Sequence, residues 1–159
     1  MKLFFTSYVR PLLEFSSPVW NPISKSDINT LESVQRYYTN RIPTCTYLPY
    51  KRRLEILSLD SLQKRRLIAD LVCLFSIISG SSNTFLYPYI IFDNPSVTRS
   101  HNLRLSIPLF NLSASHQNLI SRTAPFWNKL PLTILAANSK LLFRRRISSF
   151  LADPHRSAS

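Results

Sequence analysis

Asp60-Ser61-Leu62-Gln63-Lys64-Arg65-Arg66-Leu67-Ile68-Ala69-Asp70-Leu71-Val72-Cys73-Leu74-Phe75-Ser76-Ile77-Ile78-Ser79-Gly80 decides the fold class. Leu67, Leu71, Leu74, Phe75 and Ile78 recur at i, i+4, i+7, i+8 and i+11, the spacing of one apolar helix face turned to a core. Asp60 with Gln63 reads as a capping box. Gly80, the only glycine, sits where a helix end needs a left-handed residue. The spacing predicts a helix over about 61–79.

Working towards the N-terminus, a short helix over Tyr50–Leu57 follows Pro49 and carries Lys51, Arg52 and Arg53 on its first turn. Before it, a helix runs from Ser24 or Ser26 to about Ile42, with Ser24 and Asp27 as a weak capping box and Pro43 as its stop. Residues 3–20 are rich in apolar and aromatic side chains at helical spacing, bent at Pro11 and closed by Pro18 and Pro22. Towards the C-terminus, residues 81–100 carry turn residues. Leu103, Leu105 and Ile107 then alternate with Arg104 and Ser106, the period of a strand, whose nearest partner is Tyr87–Phe92. Helix returns from a cap at Ser115 through Asn128, kinked by Pro125, and again from a cap at Ser139 to about Leu151. The expectation is a mainly α fold, a small bundle of about five or six helices with room for a short β-hairpin around 85–110. Its segments are a helical subdomain at 1–80, a connecting region at 81–114, a C-terminal helical segment at 115–151 and a polar tail at 152–159.

Hydrophobic residues make up 45% of the 159, enough for a core and too many for a disordered tail. Twenty Lys and Arg against eight Asp and Glu give a net charge of +12, which favours polyanions, nucleic acid above all. A solvated basic surface or an acidic protein partner gives the same balance. A single glycine excludes Walker-type and dinucleotide-binding loops, which need several for close backbone approach to phosphate. Cys45, Cys73, His101, His116 and His155 make no metal-binding spacing, so neither a metal nor a cofactor is expected. Cys73, beside the apolar stripe, reads as a reduced, partly buried thiol, suiting a reducing compartment. Arg10 and Pro11 interrupt the first apolar run too early for a secretory signal, and 67–78 is too short to span a bilayer. A nuclear or cytoplasmic protein is expected, not a secreted or membrane-inserted one.

No two carboxylates among Glu14, Asp27, Glu32, Glu55, Asp60, Asp70, Asp93 and Asp153 are adjacent, and structural roles suit them. Asp27 and Asp60 suit caps; Glu32 with Arg36, and Asp70 with Arg66, suit pairing along a helix side. No catalytic residue is assigned, and no small-molecule substrate is expected. The basic clusters carry the sharper signal. Lys51, Arg52, Arg53, Lys64, Arg65 and Arg66 form one, with Arg36 and Arg41 upstream of it; Arg144, Arg145 and Arg146 form another. Guanidinium donors match phosphate, so such groups can hold a nucleic-acid backbone without reading sequence; solvating the outer faces of helices is the bland alternative. Tyr37 and Tyr38 beside Arg36 and Arg41 can stack bases, although Tyr38 suits a core. Trp20 and Trp127 read as packing anchors.

Tyr8-Val9-Arg10-Pro11-Leu12-Leu13-Glu14-Phe15, followed by Ser17-Pro18-Val19-Trp20-Asn21-Pro22, resembles a segment downstream of the polymerase domain in LINE-type (non-LTR) retrotransposon reverse transcriptases. Further landmarks of that family follow in order. They are Asp27-Ile28 with Leu31-Glu32 and Val34-Gln35-Arg36; Tyr50, Arg53-Leu54 and Leu57; then Leu59, Leu62, Arg65-Arg66 and Asp70-Leu71. Thr98-Arg99 with His101, Phe126-Trp127-Asn128-Lys129-Leu130-Pro131, and Ser139 with Phe143-Arg144 close the series. Tyr37-Tyr38 depart from it, standing where the family often has small or basic residues, and the match is loose from Leu132 onward.

The resemblance implies a thumb-side and C-terminal fragment without the aspartate-bearing polymerase core or the endonuclease. It implies a non-catalytic role: contacting the backbone of RNA or an RNA–DNA duplex through basic helices, beside the polymerase domain of the parent polyprotein. Two other readings remain: a structural helical module packed on that domain, and a decayed remnant with no present activity.

Overall fold

Pro11 shapes the first helical stretch. It has no N–H to donate, and its ring crowds the carbonyl four residues back. In the computed structural model, which describes residues 1–22, 24–80, 87–93, 103–106 and 118–152, the chain meets this with a π-helical turn. Helix α1 (Lys2–Phe4) runs into the π turn Phe5–Val9, in which the Arg10 N–H reaches the Phe5 carbonyl, and then into α2 (Arg10–Glu14). The bend expected at Pro11 is thus a widened turn just before it. Ser16, in the left-handed region at φ 50°, breaks this stretch from the short α3 (Ser17–Trp20).

Helix α4 (Lys25–Asn40) begins at Ser24, whose hydroxyl accepts from the Ser26 N–H at 3.2 Å, while Asp27 sits in its first turn. Pro43 holds Ile42 in an extended conformation and ends the helix. A 3-10 turn, Pro43–Cys45, leads to α5 (Tyr50–Leu57). Its end is a Schellman motif: Ser58 takes φ 50°, and the Leu59 N–H returns to the Leu54 carbonyl at 2.9 Å. Helix α6 (Leu62–Ile78) ends before Gly80, which supplies the expected positive φ, +69°.

The fold is mainly helical, as the sequence predicts. Five helices of eight residues or more are present among the described residues: α4, α5, α6, α7 (Leu119–Trp127) and α9 (Lys140–Ala152). The four-residue α8 (Leu132–Leu135) was not anticipated. Asn118 caps α7 by accepting from the Ser121 N–H at 2.7 Å; Ser115, the cap expected from sequence, lies outside the described residues. Ser139 caps α9 as expected, accepting from the Leu142 N–H. The chain divides into two compact units, Met1–Arg66 and Leu67–Ser159, with the division inside α6.

In the second unit the stripe of α6 is buried as its period requires. Leu71, Leu74 and Phe75 join Trp127, Phe143 and Ile147 in the apolar core, with Phe75 stacked on Phe143 at 4.4 Å between ring centroids. The expected strand partners do meet, but in one antiparallel bridge, Phe92 to Leu105, and no strand is formed among the described residues. Asp93 N–H donates to the Arg104 carbonyl and Ser106 N–H to the Ile91 carbonyl. On its other edge Leu105 meets a side chain that acts as a substitute strand. Asn128 Oδ1 accepts the Leu105 N–H, and Asn128 Nδ2 donates to the Leu105 carbonyl, both at 2.8 Å. Trp127 Nε1 donates to the Leu103 carbonyl beside it. A carboxamide is the one neutral side-chain group that offers donor and acceptor in this geometry.

Replacing Asn128 by Leu removes both bonds and leaves the Leu105 backbone groups unpaired at a buried position. We expect it to lower unfolding free energy by about 2 kcal/mol in urea titrations followed by tryptophan fluorescence. A change below about 0.5 kcal/mol would show that the bridge does not depend on Asn128.

Candidate nucleic-acid interface

In the first unit the buried face of α4 is polar: Glu32, Gln35 and Thr39 lie at i, i+3 and i+7. Ile28, Leu31, Tyr38 and Ile42, which also recur at helical spacing, are only half-buried. The reason is a helix end that needs an acceptor. Helix α6 starts with unpaired N–H groups. Glu32 supplies a carboxylate to them, Oε1 accepting the Leu62 N–H at 3.3 Å and Oε2 the Gln63 N–H at 3.2 Å. Ser61 Oγ accepts the Lys64 N–H. The expected Asp60–Gln63 box is therefore not the cap, because Asp60 turns to Lys64 (2.7 Å) and offers its carbonyl to Gln35. Glu32 is committed to this end of α6 rather than to Arg36.

The same carboxylate fixes α5. The Tyr50 hydroxyl donates a very short hydrogen bond to Glu32 Oε1 and accepts from Gln35 Nε2 at 3.0 Å. Burial, and then the bond to Glu32, push the Tyr50 phenol above its ordinary range. Arg53, also buried, donates to the Arg36 carbonyl at 3.2 Å. The last turn of α4 is thereby tied to the first turn of α5, and Cys45, fully buried, holds the connection between them.

This corner sorts the basic residues. Arg53 and Arg66 are buried, Arg66 with its guanidinium 5.8 Å from the Trp20 ring centre. Arg65 forms a two-pronged pair with Glu14. Lys64 pairs with Asp60, and Arg52 with Glu55 on the surface at 2.8 Å. The run 51–66 is therefore not one cationic surface: Arg53 and Arg66 are buried, and Arg52, Lys64 and Arg65 are held in ion pairs. Arg36, Arg41 and Lys51 are exposed and have no carboxylate within ion-pair distance among the described residues. The Arg41 guanidinium stacks 4.1 Å from the centre of the Tyr37 ring, and Arg36 lies 5.2 Å from that of Tyr50. Tyr38 packs on Phe5, in keeping with the core role its position suits, while Tyr37 is the more exposed of the two. Arg36, Tyr37, Arg41, Lys51 and Arg52, at the α4–α5 corner, form the candidate interface. Tyr47, on the connection, was missed in the sequence, because nothing in an isolated tyrosine tells exposure from burial.

In the second unit Arg144 and Arg145 are exposed on α9, whereas Arg146 is half-buried and donates to the Thr133 carbonyl. Asp70 and Arg122 pair at 2.9 Å in a buried setting. Burial raises the pKa of the Cys73 thiol, with Asp70 adding to the effect, so the thiol stays protonated at neutral pH. Among the described residues no three His, Cys, Asp or Glu side chains come together, and no helix is long and apolar enough to cross a membrane. His101, His116 and His155 lie outside the described residues. No protein-family model, curated protein or solved structure matches the chain.

The raised Tyr50 pKa has a definite sign in stability. The unfolded phenol ionises near pH 10, while the folded one holds its proton to higher pH. Its stabilisation is complete below about pH 10 and is lost as pH rises towards the folded value. Denaturant titrations from neutral pH to about pH 11 should show wild-type stability falling more steeply than that of Tyr50→Phe. Parallel curves would contradict the buried phenol.

Proposed function

We propose that this chain is a non-catalytic, nucleic-acid-binding part of a LINE-type retrotransposon reverse transcriptase, contacting RNA or an RNA–DNA duplex mainly through phosphates. The observation that carries the binding half is the set of exposed Arg36, Arg41 and Lys51 without carboxylate partners among the described residues, at a helix corner tied by the Glu32 network. Cations committed to internal pairs have little to offer a phosphate; these three have no ion pair to break among the described residues. The parentage rests on the ordered sequence landmarks, whose Trp127, Asn128, Leu62 and Arg66 are buried or bonded within the fold. A catalytic role has no support: each described carboxylate other than Asp27 already has a hydrogen-bond or ion-pair partner.

Fluorescence anisotropy with a labelled RNA hairpin tests the binding. Affinity should fall steeply between about 50 and 200 mM salt. The triple variant Arg36→Gln, Arg41→Gln, Lys51→Gln should bind about tenfold more weakly and reduce the log–log salt slope by about two. An unchanged affinity and slope would remove the corner as the interface.

A second reading, a module that packs on a polymerase domain, is favoured by residues 1–20. Leu3, Phe4, Tyr8, Leu12, Phe15 and Val19 are exposed there, more apolar surface than scattered side chains usually present. Sedimentation velocity should show concentration-dependent association that Leu12→Glu with Phe15→Glu abolishes. A wild-type chain that stays monomeric at high concentration would count against a docking face in this segment.

A further inference from the structure

The candidate interface contains more than charge. Tyr47 is 97% exposed, with no hydrogen bond or ring contact among the described residues. Tyr37 is 51% exposed on the last turns of α4. Tyr47 adds almost nothing to the fold by burial, while the half-exposed Tyr37 ring meets Tyr38 edge-on at 5.6 Å between centroids. Single exposed aromatics are common on protein surfaces and need no explanation. Here both lie in the stretch that carries Arg36, Arg41 and Lys51, and the Arg41 guanidinium is already laid over the Tyr37 ring at 4.1 Å.

A base can extend such a contact. A planar guanidinium over an aromatic ring offers the next π-face a continuous surface, and the cation keeps phosphates close. A duplex has little use for it. Its bases are stacked on one another and present edges in the grooves, so a duplex meets a protein mainly through phosphate and sugar. Unpaired bases have free faces, and stacking them on aromatic side chains accounts for much of single-strand affinity without regard to sequence.

We infer that the α4–α5 corner takes single-stranded nucleic acid in preference to duplex, with bases stacked on Tyr37 and Tyr47 and phosphates held by Arg36, Arg41 and Lys51. This rests on the nucleic-acid reading above and narrows it: the strand engaged is the unpaired one, and the duplex binds through charge alone.

The 159-residue chain is tested by anisotropy against two probes, an unstructured single strand of about 12 nucleotides and a blunt duplex of the same length. The variant Tyr37→Leu with Tyr47→Leu should bind the single strand about tenfold more weakly and the duplex within about twofold of wild type. Tyr37→Phe with Tyr47→Phe should keep single-strand affinity, because the ring face is retained. Tyr47→Leu alone, at a side chain nearly all in solvent, gives a variant whose fold is not at issue and should lose part of the same affinity. Unchanged single-strand binding in the Leu variants, or equal losses on both probes, would overturn the inference while leaving the salt-dependent arginine contacts standing. Wild-type chain that binds neither probe at about 50 mM salt would overturn the nucleic-acid reading itself.

Discussion

The carboxylate of Glu32 accepts two backbone N–H groups at the start of α6 and the hydroxyl of Tyr50 at the start of α5. In the first unit α4, α5 and the first turn of α6 therefore meet on one anion. A carboxylate taken out of water is destabilising unless its lone pairs are met by donors. Here they are met, partly by a helix N-terminus, whose dipole favours negative charge. With Phe5, Cys45, Leu57 and Leu62 as the main fully buried apolar side chains of this unit, the polar network does much of what an apolar core does in the second. Charge-assisted hydrogen bonds of this kind contribute about 1.5–3 kcal/mol each, large beside the few kcal/mol by which a small unit is stable.

The same constraint divides the cations by task. Holding α5 against α4 places Arg53 inside, donating to the Arg36 carbonyl, and turns the Arg36 side chain outward. Glu14, Asp60 and Glu55 take up Arg65, Lys64 and Arg52 in turn. The net charge of +12 thus overstates what any ligand meets at one place. What is left in residues 36–51 is three exposed cations without a carboxylate partner among the described residues, with two exposed tyrosines in the same stretch. On the proposed reading, charge of this kind would govern association and salt dependence, and the aromatic faces would add a preference among nucleic-acid forms that charge alone cannot give.

Much of the fold was legible because it rests on local chemistry. The limits of α5, the stop at Pro43, the positive φ of Gly80 and the Ser139 cap all follow from residues next to the feature they control. The apolar period of α6 likewise announced its burial. The polar face of α4 did not, since Glu32 and Gln35 have partners 15 to 31 residues away, and no spacing rule reaches that far. Asn128 was quoted within a sequence landmark, yet its pairing with Leu105 depends on a bridge that only the folded chain creates. For the candidate site, the residue types and the region were readable. Which arginines face solvent was not, because neighbours such as Arg52 and Arg53 differ only in the side of the helix they occupy.

The most direct test of the whole account is a two-dimensional NMR titration of the labelled chain with an unstructured single strand at low salt. Amide shifts should concentrate at residues 36–41 and 47–52, with the Leu62 and Gln63 amides, held by Glu32, nearly unmoved. Shifts concentrated on residues 1–20 or on α9, with the α4–α5 corner silent, would contradict it.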